Sequence, residues 1–518
     1  MRIKMKSLIY LYSITLIICY FTISANANVI QAASCSQADV QSAINFAQDG
    51  DTVFVPAGEC TWNSSVSIQN KTITLIGAGS ANGGTKIVYG GSNHSLLEID
   101  PGSKTGKVDI AGFWFYGGHP EYWSGTAISF WGPKAWKNIL IHHNTFENNK
   151  QWTIVGYAGA QGVIYQNIFK GSAHGIIFYG DGADDWETPL VLGNADFFFV
   201  EDNNFDWDDW YGVTGTACMD MNSGGRVVFR HNTIKYGFWE THDRARSGLV
   251  SANAYEIYNN TFWTNTTKWK GLDISAGTGV VWGNNFNGGG TFETDWTIPI
   301  GAMDYKSFDP RSLSLCDGTD PVDQNVSGEA GWRCQYQIGT QSEGATAYSY
   351  PLYVWSNYNN SSLVGMVCTN GCEVNGRPHL LEGRDFINNG TTPRPGYSPF
   401  TYPHPLRQSG ITDVSAINFD LKDFILYQNY PNPFNPTTTL SFVIGQSSFV
   451  SLKVYDVLGN EVATLVNEEK LPGSYQVEFT AAGLSSGVSV SSRYASGVYF
   501  YQLKAGAFVK TKKMILLE

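Results

Sequence analysis

Between residues 139 and 286 the chain repeats one short order of apolar and polar positions. Apolar residues lead, a polar or bulky residue follows two places before an Asn, and a Phe or Ile stands two places after it. The copies read ILIHHNTF, GVIYQNIF, FFVEDNNF, VVFRHNTI, YEIYNNTF and VVWGNNF, aligning Asn144, Asn167, Asn203, Asn232, Asn260 and Asn284. Successive asparagines are 23, 36, 29, 28 and 24 residues apart. Units of this length with variable insertions belong to solenoids, where a winding buries its apolar side only by stacking on the next. Val, Ile, Phe, Tyr and Gly dominate the units, which makes them β rather than helical. The expected fold is all-β, a parallel β-helix whose strands pair about 4.8 Å above and below.

In each unit the residue three before Asn (Ile141, Ile164, Val200, Phe229, Ile257, Val281) and the Phe or Ile two after it are expected to point inward. Asn is expected at the bend, in left-handed backbone, with its amide bonded to the same amide one coil on. Earlier strands are read in TITLIGAGS and VDIAGFWF. Before them, Ser36 and Asp39 form a capping-box pattern, and Val40, Ala43, Ile44 and Ala47 make the apolar face of a short helix. That helix is expected to cover the open end of the solenoid, whose bare strand edge invites aggregation.

Past Gly390 the pattern stops at the Pro-rich TTPRPGYSPFTYPHPL, and residues 391–427 are read as a linker. Short alternating segments from 428 to 518 predict a small antiparallel, immunoglobulin-like sandwich. At the other end Arg2, Lys4 and Lys6, an apolar run from Leu8 to Ile23 and Ala25-Asn26-Ala27 have the order of a secretory signal peptide over residues 1–27. No second long apolar run follows, so no membrane span is expected in the mature chain.

Composition narrows the function classes. The net charge is −12 and becomes −15 once the three basic residues of the signal are removed. That balance argues against a nucleic-acid partner, which needs basic surface. Export into an oxidising compartment makes Cys35/Cys60, Cys316/Cys334 and Cys368/Cys372 candidate disulfides and leaves Cys218 as a buried thiol. A Cys-x-x-x-Cys metal site is the alternative for the last pair.

The helix cap, GDTVFVPAG, TLIGAG and the Asn-x-Phe coils together resemble the right-handed parallel β-helix, pectin-lyase-like superfamily over roughly residues 34–390. That superfamily includes polysaccharide lyases, glycoside hydrolases, epimerases and non-catalytic adhesins, so the resemblance implies a fold and leaves the chemistry open. NYPNPFNPTT (429–438), VYDVLGNEVATL (454–465), GVYFYQL (497–503) and the Lys-rich end are similar to the C-terminal sorting domain of the type IX secretion system. This implies a didermic bacterium of the Bacteroidetes or a related phylum, a protein that is secreted or displayed on the outer surface, and the secretion machinery as a partner. One departure is a doubled Ser-Gly-Val, at Ser486–Val488 and Ser496–Val498.

Candidate chemistry follows from columns of equivalent positions. The residues two before each Asn (His142, Tyr165, Glu201, Arg230, Tyr258 and Trp282) are expected to point outward. Of these, Tyr165, Arg230, Tyr258 and Trp282 are candidate polysaccharide contacts, joined by Trp207 and Trp210 from an adjoining loop. An exposed Glu201–Arg230 pair is the plainer reading of that column. A second candidate is Asp220 with Asp273, which alternate with apolar neighbours on a shared outer face; FWETHDRARSG lies between them and carries His242, Arg244 and Arg246. In a hydrolase the two aspartates would be acid and base about 10 Å apart. In a lyase Asp181, Asp184, Asp185, Asp206, Asp208 and Asp209 would hold calcium, with His242, Arg244 or Arg246 as the base. Neither the catalytic Arg segment of pectate lyases nor the paired-Asp signature of polygalacturonases is present. Two functions therefore stand: a β-helix that binds and cleaves extracellular polysaccharide as a lyase or glycoside hydrolase, and a non-catalytic surface or adhesion scaffold.

Overall fold

In a computed structural model, residues 27–91, 95–117, 125–132, 136–149, 151–172, 174–207, 216–241, 251–265, 271–288, 298–301, 337–343, 346–370, 373–374, 377–378, 380–409, 424–426, 428–429, 431–444, 447–470, 473–481 and 494–517 are described. Residues 1–26 of the expected signal peptide, Cys316, Cys334, Cys372 and Ser486–Val488 lie outside them.

Each winding feeds three sheets in turn, as Ile139–His142, Thr145–Glu147 and Trp152–Gly156 do, followed one coil later by Gly162–Tyr165, Ile168–Lys170 and His174–Tyr179. The result is a twelve-stranded, an eleven-stranded and an eight-stranded sheet. Pairing between coils is parallel and in register, for instance Ile141↔Ile164↔Val200↔Phe229↔Ile257↔Val281. Among the described strands of these three sheets the register shifts between Ala217 and Met219 on the eight-stranded sheet, and at the C-terminal end of the eleven-stranded sheet Asn357–Asn359 turns back antiparallel on Ser362–Val364. All six of these apolar residues are core, as are Phe146, Phe169, Phe205, Ile234, Phe262 and Phe286 two places after the asparagines. The aromatic ones stack from coil to coil, with ring centroids 5.0 Å apart for Phe146–Phe169 and 4.5 Å for Phe169–Phe205.

The asparagines form a continuous buried ladder. Each backbone N–H and side-chain Nδ2 donates to the Oδ1 of the Asn one coil on, at 2.8–3.1 Å, from Asn144 through Asn167, Asn203, Asn232, Asn260 and Asn284 to Asn357. The seventh rung, in VWSNYN, follows a 73-residue separation that hid it from the repeat. The left-handed residue is the one before each Asn, not the Asn itself: His143, Gln166, Asp202, His231, Asn259, Gly283 and Ser356 have φ between 51° and 66°. That bend turns the amide inward, where desolvated polar atoms need the partners the ladder supplies.

The N-terminal helix, Gln37–Phe46, starts at Ser36, whose side chain accepts from the Asp39 N–H. The return half of the capping box is relayed: Ser34 Oγ donates to Asp39 and accepts from the Ser36 N–H. Its buried face packs over the first coils. Cys35 and Cys60 form a disulfide that ties the helix entrance to the strand Gly58–Trp62. Cys368 is disulfide-bonded and Cys218 is a buried free thiol, whose pKa burial raises.

The strands Ile425–Leu426, Thr437–Ile444 and Gly473–Thr480 form one antiparallel sheet and Ser448–Tyr455, Glu461–Lys470, Gly497–Ala505 and Phe508–Leu516 another, around a core of their own. The Pro-rich motif docks on the last strand. Phe434 is buried, its N–H donates to Ile515 O, and Asn432 Oδ1 accepts from the Ile515 N–H. Among the described residues no helix is long and apolar enough to cross a membrane.

Candidate functional site

On the eight-stranded sheet Ile154, Ile176, Met219, Trp239 and Leu272 enter the core. Alternation sends the residues between them to the outer side. One outer row runs in register through Ser67, Glu98, Ser129, Val155, Ile177, Asp220, Glu240 and Asp273. Asp220 and Asp273 thus stand two rungs apart, and Glu240 stands between them. The three carboxylates sit on consecutive strands, each largely buried. Sequence reasoning draws His242, Arg244 and Arg246 from FWETHDRARSG and assigns no role to Glu240. The alternation in the first four residues of that segment, Phe-Trp-Glu-Thr, matches Met-Asp-Met around Asp220 and is the sequence signal that places Glu240 in the row.

His242, Arg244 and Arg246 follow this strand in sequence but lie outside the described residues, as do Asp208, Asp209 and Trp210. Trp207 is not a sugar platform: it is buried against Phe205 and Phe169, because the strand Asn204–Asp206 leads it into the core. The described members of the calcium set, Asp181, Asp184, Asp185 and Asp206, are not gathered. Asp206 lies on the eleven-stranded sheet, 2.9 Å from Lys235. Asp181, Asp184 and Asp185 follow the eight-stranded sheet, and the Asp185 carboxylate accepts from the Asp181 N–H at 2.6 Å. Among the described residues no group of three or more His, Cys, Asp or Glu side chains converges to hold a metal ion.

The column before the asparagines does stand on the outer side of the twelve-stranded sheet, but it is not surface. His142, Tyr165, Glu201, Arg230 and Tyr258 are buried and Trp282 is half-buried. Residues 397–409, expected within the linker, lie across the column as a strap. Arg230 donates to Phe400 O and Thr401 O at 2.8 and 2.9 Å, to Tyr258 Oη at 2.8 Å and to Glu201 at 2.6 Å. Glu201 also accepts from the His404 N–H and from Arg407. Arg407 reaches Asp202 as well and lies 4.5 Å over the Tyr165 ring. Tyr397 Oη donates to Glu256, whose pKa burial raises. Tyr165, Arg230 and Tyr258 therefore hold the strap rather than a sugar, and the Glu201–Arg230 pair, read as exposed, has 0% exposure on both sides. A charged column this regular needs a cover with matching carbonyls and cations, and that cover lies some 170 residues away in sequence.

Comparison with known proteins separates the two parts of the chain. No curated protein sequence matches it. Among solved structures, an alginate lyase from Paenibacillus sp. str. FPU-7 is 15% identical with a TM-score of 0.29, covering 53% of this chain and 94% of that one. A mutant of the PL6 family alginate lyase AlyGC is 13% identical with a TM-score of 0.28, covering 54% and 41%. The tailspike protein of Acinetobacter baumannii phage AM24 is 9% identical with a TM-score of 0.24, covering 94% and 73%. Likenesses at this level leave the activity open. Residues 428–517 match the family described as secretion system C-terminal sorting domain. The chain is thus a parallel β-helix carrying a C-terminal sorting domain, secreted or displayed at the outer cell surface.

Proposed function

We propose that the β-helix holds an extracellular acidic polysaccharide along the outer face of the eight-stranded sheet and cleaves it beside Asp220, Glu240 and Asp273, after export by type IX machinery that reads the sorting domain. The row of three carboxylates carries this reading. Acids on neighbouring rungs can divide the roles of proton donor and acceptor that breaking a sugar polymer requires. Four and six residues beyond Glu240 come Arg244 and Arg246, which in a β-elimination would offset the uronate charge while His242 removes the C5 proton. Hydrolysis is the second reading, favoured by the two-rung separation of Asp220 and Asp273, about 10 Å and near the inverting range. Calcium prefers oxygen donors of this kind, but because the described acids do not converge, no step is routed through a metal.

The test is incubation of the full chain with polymannuronate, polygalacturonate and a neutral glucan, following ultraviolet absorbance of unsaturated ends and, separately, new reducing ends. Both signals together mean elimination, and reducing ends alone mean hydrolysis. Binding without any product would replace the enzyme by a non-catalytic surface scaffold.

A further inference from the structure

Beside the carboxylate row, two residues further along each strand, runs a second outer row. After Gln69 and Asp100, which pair in register, come Trp131, Tyr157, Tyr179 and Asn222 on successive coils. Tyr179 is in register with Asn222, two residues past Asp220. Tyr157 and Tyr179 stack with centroids 5.1 Å apart and planes 7° from parallel, and Trp131 stands 6.5 Å from Tyr157, turned by 71°. This strip differs from the aromatic ladder of the core in being open to solvent: Tyr157 is 41% exposed, and Trp131 and Tyr179 are partly exposed. No strap crosses it among the described residues, whereas the column on the twelve-stranded sheet is covered.

We infer that Trp131, Tyr157 and Tyr179 are a binding platform for the uncut arm of the polysaccharide, leading into the carboxylate row. The inference rests on the reading that this row is where the glycan is handled. Three observations converge on it. The strip is continuous with the carboxylates, because its last aromatic, Tyr179, lies close enough for the Asp220 charge to bear on it: burial first, and Asp220 after it, push its hydroxyl pKa up to about 12. Burial raises the Tyr157 hydroxyl as well, so both tyrosines keep their protons at neutral pH and can donate to sugar oxygens, while the exposed parts of the three rings offer apolar area for a pyranose to cover. The periodicity also fits, since one coil advances by about 4.8 Å, close to one pyranose unit of an extended chain. From Trp131 to Asp273 there are five such steps, so the surface suits about five sugars lying along the helix axis.

A stacked pair of tyrosines with a purely structural role would be indifferent to the length of a bound chain. The experiment therefore measures binding of graded oligosaccharides from polymannuronate and polygalacturonate, by calorimetry, to the full chain carrying Asp220→Asn, so that cleavage does not intrude. Adding Tyr157→Ala or Trp131→Ala to that background is expected to weaken binding of fragments of about five or more sugars roughly tenfold, and of di- and trisaccharides little. Circular dichroism and melting checks fix the fold of each variant, and Tyr157→Phe, which keeps the ring, should recover most of the lost affinity. Length-dependent loss in a parent that shows no turnover would keep the platform and dismiss the cleavage. Equal affinity for long fragments with and without the aromatic rings would overturn the inference, as would a parent that binds no fragment at all.

Discussion

Two outer faces of one solenoid carry similar residues and meet different fates. On the twelve-stranded sheet, His142, Tyr165, Glu201, Arg230, Tyr258 and Trp282 form a column of aromatics and charges, and the strap 397–409 buries most of it. On the eight-stranded sheet, Asp220, Glu240 and Asp273 lie beside Trp131, Tyr157 and Tyr179, and the aromatics remain open. The first face is satisfied from within the chain. Each charge there has a counter-charge or a carbonyl, so nothing remains for a ligand to offer. The second face gathers three carboxyl side chains on adjacent strands beside aromatics that no described segment covers, and it is the face on which the proposed function rests.

Substitutions that separate turnover from stability sharpen this contrast. Asp220→Asn and Glu240→Gln, on the open face, are expected to lower cleavage about 10²- to 10⁴-fold, read in the product assay, while the melting temperature stays near that of the parent. On the covered face, Arg230→Met leaves Glu201 buried with Arg407 as its remaining counter-charge and is expected to cost about 3–5 kcal/mol in chemical denaturation. Turnover per folded molecule should hardly change; if it falls as far as in the carboxylate variants, the division between the faces is wrong. Within the ladder, Asn203→Ala deprives the Asn167 N–H of its side-chain acceptor and Asn167 Nδ2 of one of its three, and should cost about 1–3 kcal/mol.

The smallest effect concerns pH and the strap. Burial, with Arg230 and Arg407 nearby, holds His404 down at about 4, and its Nδ1 accepts from the Leu406 N–H. The folded-state value lies below the ordinary value of about 6.5, so the unfolded chain takes up the proton first. His404 thus favours folding fully above about 6.5, and this contribution is lost as pH falls toward about 4. Glu256, raised by burial, acts in the opposite direction, its cost to folding being relieved as pH falls. The readout is therefore the difference between parent and His404→Asn: the variant's melting temperature should drop less on acidification. Parallel curves would remove His404 from the strap's pH response.

How far the sequence could be read depended on whether a feature repeats. The inward residues and the asparagine-to-asparagine bonds follow from a pattern that recurs in register, and each copy supports the others. Local propensity puts the left-handed corner at Asn, and the structure has it one residue earlier, because the buried amide has a better use in the ladder. Glu240 occurs once in its register, next to a stretch rich in charge, and period-2 alternation over four residues is a weak signal beside that. Trp207 and the acidic loop residues carried no period at all, and composition alone suggested a role for them.

Local chemistry written into the chain was enough to specify coils, their stacking axis and the polar spine, because each of these depends on neighbours one winding away, and the export domain, because its motifs are contiguous in sequence. Which outer column is covered was decided only in three dimensions. A strap made of Phe400, Thr401, His404 and Arg407 meets Glu201 and Arg230 after about 170 to 206 intervening residues. Nothing in the period of either segment encodes that meeting; it arises from matching carbonyls and charges once the solenoid exists to present them.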